Sequence, residues 1–211
     1  LADQGVARVL ANYEYAITYV LVALVLLVWL YLRRPATYRW ARTSFALINI
    51  VGISCFALYP VMPPRLMPGL GFIDTVSLGH TWGSWGSPLV SSANQFAAMP
   101  SLHVAWAMWV TVVLALIRAN RLVQFLSVLH VASTTFVIMA TANHYLLDAV
   151  AGAVVVIGCV AITAPARRGD TARGSRVALP PRVPAADAFF LYVETPAAAQ
   201  HVGGVVMLDT T

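Results

Sequence analysis

The chain has 211 residues, of which 60% are hydrophobic and only 10% charged, with a mean hydropathy of +0.77. Soluble domains carry roughly 25% charged residues, so these values exclude an ordinary soluble domain and place the chain in lipid. Its net charge is +5, all 13 basic residues are arginine, and they fall between apolar runs, which reads as membrane topology and gives no expectation of a nucleic-acid partner. Cys55 and Cys159 lie inside apolar runs without a CxxC partner, which argues against a disulfide framework or a zinc knuckle.

The chain opens on Leu1 with neither an initiating methionine nor the order of a signal peptide, as a piece of something longer would. Five apolar stretches of spanning length then follow, about Tyr15 to Leu32, Ala41 to Tyr59, Leu102 to Ile117, Leu122 to Ala142 and Tyr145 to Ala164. They predict an all-α fold, a polytopic membrane bundle with five transmembrane helices in this chain and a sixth expected upstream. Arg33, Arg34, Arg39 and Arg42 separate the first two stretches, Arg118 and Arg121 the third and fourth, and Arg167, Arg168, Arg173 and Arg176 follow the fifth. The positive-inside rule makes that side cytoplasmic and leaves Arg8 and Arg65 outside. A multi-pass protein of the cell membrane is expected, with an extracytoplasmic N-terminus and a cytoplasmic C-terminus.

The long connection from Pro60 to Pro100 is rich in Gly, Pro, Ser and Trp, and its His80, Trp82 and Trp85 read as interfacial anchors or a lid. After Ala164 the composition changes. Residues 1–165 are expected to form a membrane-embedded domain, 166–184 a flexible Pro, Ala and Arg-rich linker, and 185–211 an amphipathic segment too short to fold alone.

Ionisable groups at spanning helices are costly, and three cluster at outer helix ends in this topology: His103, His144 and Asp148. Pro100 and Ser101 precede the run that holds His103. Serine there is an N-cap, and a helix N-terminus offers amides to an anion. His144 and Asp148, four residues apart, share one helix face, so the carboxylate can orient the imidazole. Arg65 brings a fork of donors suited to phosphate oxygens. His130, mid-helix and alone, reads as a hydrogen-bonding strut.

At these residues the chain resembles the type 2 phosphatidic acid phosphatase superfamily, over roughly Asn12 to Ala164. The second motif of that superfamily, Pro-Ser-Gly-His, has its counterpart in Pro100, Ser101, Leu102 and His103, and the leucine variant is similar to the inositol phosphorylceramide synthase branch. The His and Asp of the third motif fall on His144 and Asp148. The resemblance implies a phosphohistidine on His144 steadied by Asp148, with His103 protonating the leaving alkoxide and Ser101 and Arg65 holding the phosphate. It also implies that no metal or cofactor is needed.

Two departures stand out. No lysine precedes Arg65, which follows Pro63 and Pro64, and Val137 and Ile138 occupy the positions of the third motif's Ser-Arg, so phosphate must be held by fewer cations. The tail from Asp187 resembles the opening of the wax ester synthase and diacylglycerol acyltransferase family, which implies a fused cytoplasmic acyltransferase domain; that family's His-His-x-x-x-Asp-Gly motif is missing here, so His201 receives no role.

Three functions are compatible with these readings. One is a membrane lipid-phosphate phosphatase, another a phosphotransferase that passes a phosphoryl headgroup to a lipid alcohol, and the third an inactive anchor for a downstream acyltransferase. A metal site built from the two histidines and the aspartate is a further reading of the same residues.

Overall fold

The computed structural model describes residues 5–82 and 94–174, with side chains described to residue 163. The expected Trp85 anchor, and the segment from residue 175 onward that holds most of the expected linker and the acyltransferase-like tail, lie outside the described residues. The chain divides into two compact units, Leu1–Thr171 and Ala172–Thr211, and the first carries the helices below.

Helix α1 (Gly5–Arg33) contains one π-helical turn, Glu14–Thr18. It ends because Pro35 follows: proline disfavours helical geometry at the preceding residue yet suits the first helical position. Arg34 accordingly leaves the helical region (φ −144°, ψ 65°), and α2 (Pro35–Leu58) starts at once. The irregular segment that follows holds a 3-10 turn at Pro64–Leu66 and the one-turn helix α3 (Thr75–Leu78). Asp74 caps α3 by accepting from the amides of Val76 (3.1 Å) and Ser77 (2.9 Å). Helices α4 (Leu102–Leu116), α5 (Arg121–Ala140) and α6 (Leu146–Gly174) complete the bundle, and the apolar part of α6 runs to Thr163. Among the described residues the extended structure is one isolated parallel bridge, Val61 to Ala97.

Among the described residues four helices are long and apolar enough to cross a membrane: α1, α2, α5 and the apolar part of α6. The expected third span, α4, is a shorter apolar helix of the same bundle. At 15 residues, α4 rises roughly 22 Å, short of the ~30 Å hydrocarbon core. Its apolar run is trimmed at one end by Ser101 and at the other by the turn at Ile117. Helix α4 is instead the centre of the core: Ala105, Trp109, Val110 and Val113 pack with Leu26 and Leu30 of α1, Ile48 of α2 and Val156 of α6. The Trp109 indole donates to Ser44 Oγ (3.0 Å) and the Trp106 indole to Asn49 Oδ1 (3.2 Å), so the polar atoms of this core are paired across α2 and α4.

Outward faces carry exposed apolar side chains such as Val25, Ile53, Phe136 and Ile157, the pattern of a lipid-facing exterior. His130 meets Glu14 of α1 (3.5 Å), and Thr134 donates to the same carboxylate oxygen (3.2 Å), a polar tie between α1 and α5.

Candidate active site

Helix α5 ends in a Schellman turn. Ala142, in left-handed geometry (φ 55°), sends its amide to Met139, and the amide of Asn143 returns to Ile138. The turn lifts Asn143 and His144 off the helix axis and exposes the Ala142 carbonyl, which accepts from the Arg65 amide (2.8 Å). His144 therefore precedes α6 and is not on it. Asp148, in the first turn of α6, reaches back to accept from the Tyr145 amide (2.8 Å), half of a capping box. The same carboxylate oxygen lies 3.4 Å from His144 Nδ1.

His144 Nδ1 also sits 2.8 Å from the Ala98 carbonyl oxygen. A carbonyl can only accept, so this contact requires the proton on Nδ1 and leaves the lone pair on Nε2. Both ring and carboxylate are buried, His144 at 4% and Asp148 at 1% exposure.

The amide of Ser101 donates to the Asp148 carbonyl (2.9 Å), which joins the start of α4 to the start of α6. Close approach at this crossing depends on Gly152, one turn below Asp148, where a Cβ would lie 2.5 Å from the Ser101 carbonyl oxygen. Ser101 occupies the N-cap position of α4, but its side chain makes no cap bond, and Oγ is fully buried without a hydrogen-bond partner. His103, on the first turn of α4, is stacked on Tyr15 (centroids 4.3 Å apart) and flanked by Tyr19 (4.2 Å). Its ring stands edge-on to His144 at 5.3 Å, and its Nδ1 is buried without a hydrogen-bond partner.

Arg65 is buried, and three acceptors among the described residues hold it. Nε donates to Asp74 Oδ2 (3.2 Å), one terminal nitrogen to Asn143 Oδ1 (3.0 Å) and the other to Gln95 Oε1 (3.0 Å). Asn143 is oriented in turn by donating to Thr141 Oγ1 (2.8 Å). Arg65, Asn143, His144, Gln95 and Tyr15 surround a small cavity of about 30 Å³, the space of a water or two.

The structure thus gathers His103, His144, Asp148 and Ser101 at the crossing of α4 and α6, with Arg65 across the small cavity from His144. The two histidines and the aspartate do not converge as three ligands on one point, because Asp148 and His144 Nδ1 face each other and backbone groups. Tyr15, Tyr19, Asp74, Gln95 and Asn143 had no signal of their own in the sequence beyond polarity or aromaticity near the motifs. Trp82 and His80, from the long connection, are exposed and outside this group.

The chain matches the family model of the PAP2 superfamily over residues 1–162 and belongs to that superfamily. With membership comes the activity class of a phosphatase or phosphotransferase acting on lipid phosphates, in a multi-pass membrane protein. No curated protein and no solved structure gives a significant match.

Proposed function

We propose that the protein is a metal-independent lipid-phosphate phosphatase that works through a phosphohistidine on His144. The observation that carries this reading is the 2.8 Å contact between His144 Nδ1 and the Ala98 carbonyl, which supports a neutral ring with its proton on Nδ1 and Nε2 as the nucleophile. In the first step Nε2 attacks phosphorus, a P–N bond forms, and the P–O bond to the lipid breaks. His103 gives a proton to the departing alkoxide, and Asp148 balances the charge gained by the His144 ring. In the second step His103 takes a proton from water, the oxygen attacks phosphorus, the P–N bond breaks and inorganic phosphate leaves. Positioned proton transfer of this kind contributes about 10²- to 10⁴-fold.

Arg65 and Ser101 bind the equatorial oxygens. The three acceptors on Arg65 support that role by holding its fork in a single orientation, and the unpartnered Ser101 hydroxyl is a donor in reserve. The distribution of arginines supports an extracytoplasmic site and a plasma-membrane setting.

The test is phosphate release by the detergent-purified chain from a panel of lipid phosphates, with vanadate, with a chelator and with His144→Ala. Phosphate release that survives chelation and disappears in His144→Ala is expected. Turnover lost on chelation overturns metal independence, and unchanged turnover in His144→Ala overturns the nucleophile. Headgroup transfer to an added lipid alcohol would replace water by an alcohol as acceptor. The leucine of the second motif does not decide between the two, because its side chain packs over Gly52 of α2.

A further inference from the structure

At the end of the bundle opposite His103 and His144, a groove of about 670 Å³ opens between α1, α4 and α5, a size in the range of small-molecule sites. Its walls are Leu21, Val25 and Trp29 of α1, Val110 and Leu114 of α4 and Val123 of α5. From Leu21 to Trp29 the wall extends about 12 Å along α1. Two arginines, Arg34 and Arg118, line its mouth, where α1 and α4 end. A basic mouth above an apolar slot between membrane helices has the form of a site for one amphiphile, with a headgroup at the arginines and a chain between the helices.

Both arginines are placed by more than the bias of one membrane side toward positive charge. Arg34 lies over the Trp29 ring (5.8 Å to its centroid), so the guanidinium is held against the groove wall. Arg118 sits at the left-handed position (φ 55°) of a Schellman turn that ends α4, its amide bonded to Ala115 and the next amide to Leu114. That position favours glycine, and nothing in the turn calls for an arginine side chain. Between residues 5 and 163 the acidic residues are Glu14, Asp74 and Asp148, all toward the other end of the bundle. Among the described side chains of α1, α4 and α5, no carboxylate lines the groove beside these two arginines.

We propose that this groove is a binding site for one anionic phospholipid, distinct from the substrate site: an acyl chain lies along Val25 and Val110, and the phosphate is held by Arg34 and Arg118. The assignment does not rest on the phosphatase reading.

The test uses the full chain, reconstituted in vesicles of equimolar phosphatidylcholine and phosphatidylglycerol, extracted in mild detergent and assayed for retained lipid by native mass spectrometry. An arginine held against the bound headgroup is worth about a five- to sixfold preference, so the pair in the groove gives phosphatidylglycerol an advantage of about thirtyfold. Arg34→Gln/Arg118→Gln is expected to abolish that preference, while Arg33→Gln/Arg121→Gln, on the same end but outside the groove, retains it. Val25→Trp fills the slot from an exposed position and is expected to expel the lipid with both arginines intact.

Arg118→Gly separates binding from folding. It relieves the left-handed backbone, so the thermal midpoint holds or rises while retention of phosphatidylglycerol falls about five- to sixfold. Equal retention of the two lipids by the native chain overturns the proposal. So does an equal loss in the Arg33→Gln/Arg121→Gln control, or retention that is indifferent to Val25→Trp.

Discussion

Replacing Gly152 with alanine adds a single methyl group, and the structure says where it goes. The new Cβ would lie 2.5 Å from the Ser101 carbonyl oxygen, 3.4 Å from its carbonyl carbon and 3.5 Å from the Ala105 amide nitrogen. The closest of these is backbone, so no side chain can turn aside. Restoring an ordinary contact of about 3.4 Å requires α4 and α6 to separate by roughly 0.9 Å at this point. The same crossing carries Ser101 and His103 on α4 and His144 and Asp148 at the head of α6. A misplacement of about 1 Å costs on the order of 10²-fold in rate, or ~2.7 kcal/mol, whereas overpacking costs ~1 to 3 kcal/mol in stability.

The assay is kcat for phosphate release beside the thermal midpoint in detergent, with Gly158→Ala as companion, since a Cβ at Gly158 meets nothing within 4 Å. Gly152→Ala is expected to lose about a hundredfold in kcat under conditions where it remains folded, and Gly158→Ala to lose none. A folded Gly152→Ala protein with native kcat would refute the claim that this helix crossing positions the site.

His103→Gln is expected to lower turnover by about 10²- to 10⁴-fold while permitting a ³²P label to accumulate on His144, read by acid-labile incorporation; no label would contradict the division of roles between the histidines. Arg65→Lys keeps the charge but loses the fork that meets Asp74, Gln95 and Asn143, and should raise KM for the lipid phosphate at least tenfold; an unchanged KM would count against phosphate binding by Arg65. Tyr15→Phe retains the ring stacked on His103 and should keep most activity, whereas Tyr15→Leu removes the stack and should lower kcat more than it raises KM. Equal behaviour of the two variants would remove any role for the ring. Ala142→Gly relieves the left-handed backbone between α5 and His144 and is expected to raise stability in detergent by up to ~1 kcal/mol without loss of kcat.

The helices were legible because lipid leaves so few choices: a long apolar run must satisfy its own backbone, so Pro35, Asn120 and the arginines mark their limits directly. The ends of α4 were legible too, since the apolar run from Leu102 to Ile117 becomes the helix Leu102–Leu116; the left-handed turn at Arg118 that stops it was not. At the site, the motif residues could be named from spacing, but the partners of Arg65 could not. Asp74 and Gln95 come from distant parts of the long connection and Asn143 from the turn between α5 and α6, and only tertiary folding brings them to one guanidinium. Gly152 was equally silent, as the need for a missing side chain is visible only when the facing backbone is in place.

The π-helical turn of α1 has a consequence for the phase of that helix. A regular helix advances about 100° per residue, and the wider turn at Glu14–Thr18 absorbs roughly one extra residue, so the part above it is rotated by about that angle relative to an unbroken α-helix. Below the turn, Leu26 and Leu30 keep step with the bundle core; above it, Asn12 is turned to bond the Thr75 carbonyl (2.7 Å) and hydroxyl (3.1 Å). Helix α1 therefore works as two cylinders on one axis, one keyed to the membrane core and the other to the loop that carries Asp74. Deleting one residue within Glu14–Thr18 would close the turn to regular α-helix and leave both cylinders in their present phase, whereas regular helix at the present length would swing Asn12 about 100° away from Thr75 and uncouple the loop behind Arg65 from the bundle.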